Sequence, residues 1–152
     1  MISHSLRIPA LFLITVLIFG CVSQTTTRTA GFLTVAAAGD IVFIGRARTF
    51  GTDGTFRMRS LEPEPIECTG RFRYSSPPSG RARFSCSNEE KGTLRIESEG
   101  GLRGTNTGTS SFGPVQIIFG YSIREVNRRL KFPDGNILSI VGQGILLQAP
   151  QN

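Results

Sequence analysis

The chain has 152 residues, enough for one domain, with 17 basic and 11 acidic side chains and a net charge of +6. All but two of the basic residues are arginines, which suit planar, two-point contact with phosphate or carboxylate. His4 is the only histidine. Downstream of the N-terminal segment, the sequence therefore excludes Ser-His-Asp and Cys-His catalysis and histidine-ligated metal sites.

The N-terminal segment has the composition of an export signal. Arg7 gives it a positive charge, and residues 8–20 are uncharged and mostly apolar. A membrane-spanning helix needs about 20 apolar residues, so this run is short for one. A secretory signal combines a basic start, an apolar stretch of about 7–15 residues and a small residue at the cleavage site. Residues 1–20 therefore predict a signal peptide.

The residues Ile18-Phe19-Gly20-Cys21 resemble the lipobox of bacterial lipoproteins, although Phe19 departs from its usual small or β-branched residue. In that family the cysteine is acylated and becomes the mature N-terminus. The resemblance implies that Cys21 is the lipid attachment site and that a membrane anchors the chain through this lipid. A plain cleaved signal and an uncleaved signal anchor are the alternatives.

A polar, threonine-rich segment at residues 21–31 predicts a lipidated N-terminus and flexible tether, followed by a single domain at residues 32–152. Val22 stands where enteric lipoproteins of the inner membrane tend to carry aspartate. The resemblance thus implies a cell-envelope protein that faces the periplasm, in the outer membrane rather than the inner one.

Two segments, residues 41–60 and 66–86, repeat a strand–turn–strand pattern and predict two hairpins. When Gly45 is aligned with Gly70, the arginines of the two segments fall at matching positions. Glycine and proline mark the turns, within GTDG and SSPPSG. In the second hairpin a turn centred on Pro77 places Cys68 opposite Cys86, as an interstrand disulfide needs. In the oxidising space outside the cytoplasm this register predicts a Cys68–Cys86 disulfide. Two separate buried thiols are the alternative, and neither a metal nor a cofactor is predicted.

The same alternation of side chains predicts an arginine-rich face on both hairpins. In the first hairpin, a register with paired positions summing to 105 puts Arg46 opposite Arg59 and Arg48 opposite Arg57. In the second hairpin the register predicts two further opposed arginine pairs. The predicted anion-binding residues are Arg46, Arg48, Arg57, Arg59, Arg71, Arg73, Arg81 and Arg83.

This face allows two interpretations. It is either a solvated surface whose charges are offset by Glu67, Glu97 and Glu99 on neighbouring strands, or a site for an anionic partner. Anionic lipid, lipopolysaccharide and cell-wall polymer are the partners that fit the predicted compartment. Nucleic acid fits the charge but not the compartment, so it is not a predicted partner.

The C-terminal third predicts a buried strand at residues 115–119 and then a short helix at residues 122–131. Ser122 and Glu125 form a capping box, and apolar residues at helical spacing suggest that the helix packs on the sheet. A basic helix lying on a membrane surface is the alternative. Residues 136–148 predict one or two closing strands.

The predicted fold is mainly β: an antiparallel barrel-like roll or sandwich built from repeated hairpins, with one short helix in the C-terminal half. Residues 34–40 fit either a helix or a strand. The motif ECTGRFRY…GRARFSC…GTLRI, within residues 66–120, resembles a domain of small, uncharacterised proteobacterial envelope lipoproteins. That resemblance implies fold and compartment but no activity.

The predicted function is a non-enzymatic structural or binding module of the cell envelope. No histidine lies in the domain, and no nucleophile motif such as G-x-S-x-G is present. The alternative is an inhibitor or immunity-type lipoprotein that binds an acidic protein partner. The sequence does not identify that partner.

Overall fold

The computed structural model describes residues 30–76, 78–100 and 102–150. The predicted signal peptide, Cys21 and most of the tether lie outside these residues. Eight antiparallel strands form a closed barrel, which confirms the mainly β, barrel-like prediction. The strands are β1 (Ala30–Ala38), β2 (Ile41–Phe50), β3 (Asp53–Ser60), β4 (Glu67–Ser76), β5 (Ser79–Cys86), β6 (Lys91–Gly100), β7 (Arg103–Ser110) and β8 (Gly113–Phe119).

Each strand pairs with the next one along the chain, and β1 pairs with β8 to close the barrel. Residues 34–38, which fit either element in the sequence, thus belong to a strand. Closure brings Thr34 opposite Phe119. Because successive side chains in a strand point to opposite faces, every strand divides its residues between the barrel interior and the outer wall.

Side chains fill the barrel interior, as expected for eight strands. Large and small residues face each other across strands: Gly54 opposes Phe72, and Gly70 lies between Phe56 and Phe84. A Cβ atom on Gly70 would collide with the Phe56 ring, so the ring occupies the space that glycine leaves. The cavities found among these side chains measure only about 10 and 30 Å³.

The C-terminal segment lies outside the barrel. It comprises α1 (Ile123–Arg129), a 3₁₀ turn (Pro133–Gly135), β9 (Ile137–Val141) and β10 (Gly144–Gln148). The predicted capping box is confirmed: Ser122 Oγ accepts a hydrogen bond from the Glu125 backbone N–H, and the Glu125 carboxylate accepts one from the Ser122 N–H at 3.0 Å. The helix is shorter than predicted and ends at Arg129.

This segment covers the outer side of β8, β1 and the start of β2, which we call the covered wall. Val126 and Leu138 are fully buried there against Val35, Val42 and Ile118. Two strands do form at residues 137–148, but they pair only with each other and do not close the sheet. Within the described ranges, no helix is both long and apolar enough to cross a membrane.

Candidate functional site: an arginine face on β2–β5

The eight arginines predicted to share a face all lie on the outer side of β2–β5, and all are exposed. We call them together the arginine face. The register predicted for the second hairpin is confirmed: Arg71 pairs with Arg83 and Arg73 with Arg81. Two like charges directly opposite each other on an antiparallel pair are destabilising.

The register predicted for the first hairpin is wrong by two residues. Arg46 pairs with Arg57 rather than Arg59, and Arg48 pairs with Thr55. The cause is a tight turn of two residues, in which Gly51 has the positive φ of 64° that such hairpin turns favour. A shift of two residues changes the partners but keeps every side chain on its predicted face.

Seven of the eight arginines lie in three rows together with threonine, serine and aspartate side chains, and Arg59 lies in a further row opposite Glu67. Adjacent strands lie about 4.8 Å apart, and successive rows lie about 6.7 Å apart because each spans two residues of a strand. The middle row contains Arg48, Thr55, Arg71 and Arg83. The row on one side contains Arg46, Arg57, Thr69 and Ser85. The row on the other side contains Asp53, Arg73, Arg81 and Arg95.

The long arginine side chains stand around a groove of about 1200 Å³ that opens to solvent. All members of the arginine face except Arg59 line it. Phe56, Phe72 and Phe84 also contribute to the lining. Because their side chains belong to the interior core, they reach the outer surface through their backbone, and the strands themselves form the floor.

One carboxylate lies in this groove. Asp53 Oδ1 accepts a hydrogen bond from Arg73 Nε at 2.6 Å, and this bond raises the pKa of the Arg73 guanidinium. The side chains of Arg73 and Asp53 are 76% and 49% exposed, so their ion pair contributes little to stability. It leaves the charge of the rest of the face unchanged.

Of the three carboxylates expected to offset the arginines, none lies within 4.0 Å of a guanidinium of the arginine face. Glu97 pairs with Arg95 at 3.3 Å, and Glu99 pairs with Arg129 of α1 at 3.1 Å. Glu67 lies opposite Arg59 in the register but forms no ion pair within 4.0 Å. All 11 acidic side chains of the sequence fall in the described residues. Among those residues, every arginine of the face except Arg73 lacks a carboxylate within 4.0 Å.

The two cysteines lie beneath the arginine face, on the inner side of β4 and β5. Cys68 and Cys86 are directly opposite each other, as the predicted register requires. Their sulfur atoms are 2.00 Å apart, which is a bonding distance. This bond joins the two strands that carry Arg71 and Arg83, so it fixes the register in which those arginines face each other.

The sequence analysis did not include Arg95, which extends the outermost row by pairing with Arg81. Its signal was the third copy of the repeat, GTLRI, where arginine follows the same alternation. It also did not include Thr55 and Thr69, whose short hydroxyl side chains separate the arginines and can donate hydrogen bonds to the same anion. These two threonines can be recognised as part of the site only from their positions in the rows of the folded sheet.

A second cluster of charges, around Tyr121, holds the helix to the barrel. The guanidinium of Arg129 lies 4.4 Å from the centre of the Tyr121 ring, and that of Arg103 lies 5.6 Å from it. Burial raises the pKa of Tyr121. Arg129 pairs with Glu99 and Arg103 with Glu125. Because these charges compensate one another, the cluster is an internal contact between α1 and the strands.

Within the described part of the chain, no three histidine, cysteine, aspartate or glutamate side chains lie close enough to hold a metal ion. The arginine face is the candidate site, and its guanidinium groups are suited to contact with phosphate or carboxylate. No family of known proteins, no curated protein and no solved structure matches this chain.

Proposed function

We propose that this protein is a lipid-anchored cell-envelope module, attached through Cys21, that binds polyanions with its arginine face without catalysing a reaction. Its ligand carries several phosphate or carboxylate groups, as anionic lipid, lipopolysaccharide and cell-wall polymers do. The observation that supports this function best is the set of opposed, uncompensated arginines around one open groove. Guanidinium groups bind such oxygens at two points each.

In the absence of a ligand, repulsion within the arginine face destabilises the folded protein. Arg46 opposes Arg57, and Arg71 opposes Arg83, with no carboxylate of the described residues within 4.0 Å of any of the four. An anion placed between two opposed guanidiniums converts this repulsion into two charge-assisted hydrogen bonds. Binding a polyanion therefore relieves several repulsive pairs at once.

The dimensions of the face favour a ligand with several charges over a single small ion. The seven arginines around the groove extend over four strands and three rows, about 14 Å by 13 Å from ordinary strand spacings. The cavities between interior side chains are far too small for a ligand, so binding takes place on the outer wall. A polymer or a clustered headgroup contacts several arginines together.

The binding test compares two double variants of the full-length protein in detergent micelles. Arg71→Gln with Arg83→Gln removes an opposed pair from the face. Arg124→Gln with Arg128→Gln removes the same charge from exposed positions of α1. Capture is measured on isolated cell wall and on beads coated with lipopolysaccharide, anionic lipid or neutral lipid, across a salt series.

We expect the wild type to bind at least one anionic surface, with an affinity that falls as salt increases. The face variant should bind at least about tenfold more weakly, because each charge-assisted bond contributes about 1.5–3 kcal/mol. The α1 variant should bind like the wild type. Equal losses in both variants would mean that only net charge matters, and no anionic binding would leave an acidic protein partner as the better function.

The lipid anchor is tested separately. In a Gram-negative host, wild-type protein should appear in the membrane fraction, with the mass of an acylated cysteine at its N-terminus. The full-length Cys21→Ser variant should lose that modification. An unmodified cysteine in the wild type would overturn the anchor while leaving the binding test of the arginine face valid.

A further inference from the structure

The two ends of the barrel have different charge. At one end lie the start of β1 at Ala30 and the connections that follow β2, β4 and β6; we call it the entry end. At the other end lie the connections at residues 39–40, 61–66, 87–90 and 111–112; we call it the acidic end. The antiparallel order of the strands fixes this division.

Every charged side chain in the four connections of the acidic end is a carboxylate. They are Asp40, Glu62, Glu64, Glu89 and Glu90. Glu90 is fixed there by hydrogen bonds from the backbone N–H and the hydroxyl of Ser111. These bonds lower the pKa of Glu90, so the carboxylate stays charged. A surface of this kind is repelled by an anionic membrane.

The entry end carries exposed apolar side chains instead. Phe50 and Leu102 are 46% and 40% exposed, and they are the two exposed large apolar side chains of the described barrel. Phe50 is the last residue of β2 and Leu102 lies in the connection between β6 and β7, on opposite sides of the rim. At the acidic end, by contrast, Leu61 and Phe112 are partly buried against the core clusters.

Arginines stand close to this apolar rim. Arg73 and Arg81 belong to the row of the arginine face nearest the entry end, and Arg103 begins β7 beside Leu102. Arg73 is paired with Asp53 and Arg103 with Glu125, so Arg81 is the one of these three without a carboxylate of the described residues within 4.0 Å. Exposed apolar side chains flanked by arginines are suited to the headgroup region of an anionic bilayer. Both properties are absent from the connections of the acidic end, where the charges are negative.

We propose that the barrel stands on the membrane by its entry end, with Phe50 and Leu102 in the headgroup region and the acidic end pointing away. This inference rests on the lipid anchor of the proposed function. Val22 to Ala30 comprises nine residues, which reach at most about 30 Å, and Ala30 lies at the entry end. In this orientation the groove of the arginine face opens sideways, parallel to the membrane surface.

The test uses tryptophan, which the sequence lacks, so that a single introduced residue reports its own position. Three full-length variants are reconstituted into anionic vesicles whose acyl chains carry bromine, a quencher of tryptophan fluorescence. Phe50→Trp and Leu102→Trp probe the entry end. Asn88→Trp, exposed at the acidic end, is the control.

We expect quenching and a blue shift for the two entry-end reporters and neither change for the control. A fourth reporter, Leu146→Trp, probes the exposed apolar side of the β9–β10 sheet and should remain unquenched. Equal quenching at all positions, quenching at Leu146→Trp alone, or no quenching anywhere would overturn the orientation.

The orientation of the barrel on the membrane and the binding of polyanions by the arginine face can be tested independently. Adding Arg71→Gln with Arg83→Gln to the Phe50→Trp protein should weaken polyanion capture at least about tenfold, as in the binding test, and leave the quenching unchanged. Quenching without polyanion binding would refute the proposed function of the face but keep the orientation. Polyanion binding without selective quenching would refute the orientation alone.

Discussion

The covered wall and the arginine face are two sides of the same barrel, and they differ in whether the chain itself covers them. The wall of β8, β1 and the start of β2 is apolar, and the chain's own C-terminal segment buries it. The arginine face is charged, and the described chain leaves it open. Any well-packed segment can bury an apolar wall, whereas opposed arginines need counter-charges. Among the described residues, every arginine of the face except Arg73 lacks a carboxylate within 4.0 Å.

The covered wall should respond most strongly to a loss of packing. Leu138 is 1% exposed, and truncating a buried leucine to alanine typically costs about 2–5 kcal/mol. Leu138→Ala should therefore lower the free energy of unfolding by an amount in this range, measured by denaturant titration. Leu146→Ala, on β10 of the same small sheet but 51% exposed, should change it by less than about 0.5 kcal/mol. Similar effects at both positions would show that the segment is not packed as described.

The disulfide beneath the arginine face should give the next largest effect. Changing Cys68 and Cys86 together to alanine releases a loop with a sequence separation of 18, which the chain-entropy model values at about 3 kcal/mol. A reductant should destabilise the wild type by a similar amount and leave the double variant unchanged. If the reductant has no effect on the wild type, the two thiols are not bonded in the protein.

The start of α1 offers a smaller perturbation of the covered wall. Ser122→Ala removes the hydroxyl that accepts the Glu125 backbone N–H, and loss of such a cap costs about 1 kcal/mol. Hydrogen exchange should increase in α1 before it increases in the barrel strands. Ser75→Ala, at an exposed position of β4, is the matched control and should have no effect on exchange in the helix.

Removing charges from the arginine face should raise the free energy of unfolding, whereas the changes above lower it. Removing the opposed pair with Arg71→Gln and Arg83→Gln should raise the free energy of unfolding by a few tenths to about 1 kcal/mol, because like charges face each other. The gain should shrink at high salt. Arg124→Gln with Arg128→Gln provides the charge-matched comparison. A clear loss of stability in the face variant would show that these arginines stabilise the fold, contrary to our proposal.

The smallest expected effect is the pH dependence of the helix start. Hydrogen bonds from the Ser122 hydroxyl and backbone lower the pKa of Glu125. A lowered pKa in the folded state means that the stabilisation is complete above the ordinary glutamate pKa, about 4.3, and is lost as pH falls through the lower folded value. Exchange protection of α1 should decrease over this acidic range in the wild type. Glu125→Gln should remove that part of the pH dependence.

The sequence was sufficient for the parts of the fold that depend on local pattern. Alternation placed all eight arginines on one face, and the cysteines identified the register of the β4–β5 hairpin. The register of β2–β3 was missed because GTDG accommodates either a two-residue turn or a longer one. That choice depends on the positive φ of Gly51, which the sequence allows but does not require.

The remaining errors concern contacts between distant parts of the chain. Apolar alternation in residues 137–148 does not distinguish a strand inside the barrel from one packed against its outside. The destination of Glu99 depends on where α1 docks, since its partner Arg129 lies 30 residues away in sequence. The charge balance of the arginine face therefore required the tertiary structure.

Closure of the barrel has a consequence for the order of folding. Every barrel pairing except β1–β8 joins strands that are neighbours in the chain, so seven hairpins can form by closing short loops. The Cys68–Cys86 bond lies within one of these hairpins and does not need the complete barrel. The β1–β8 pairing joins Thr34 to Phe119 and must wait until almost the whole domain has been made. Until then β1 and the last strand formed expose unpaired backbone edges, and this is the stage at which the chain is most prone to pair with another copy of itself.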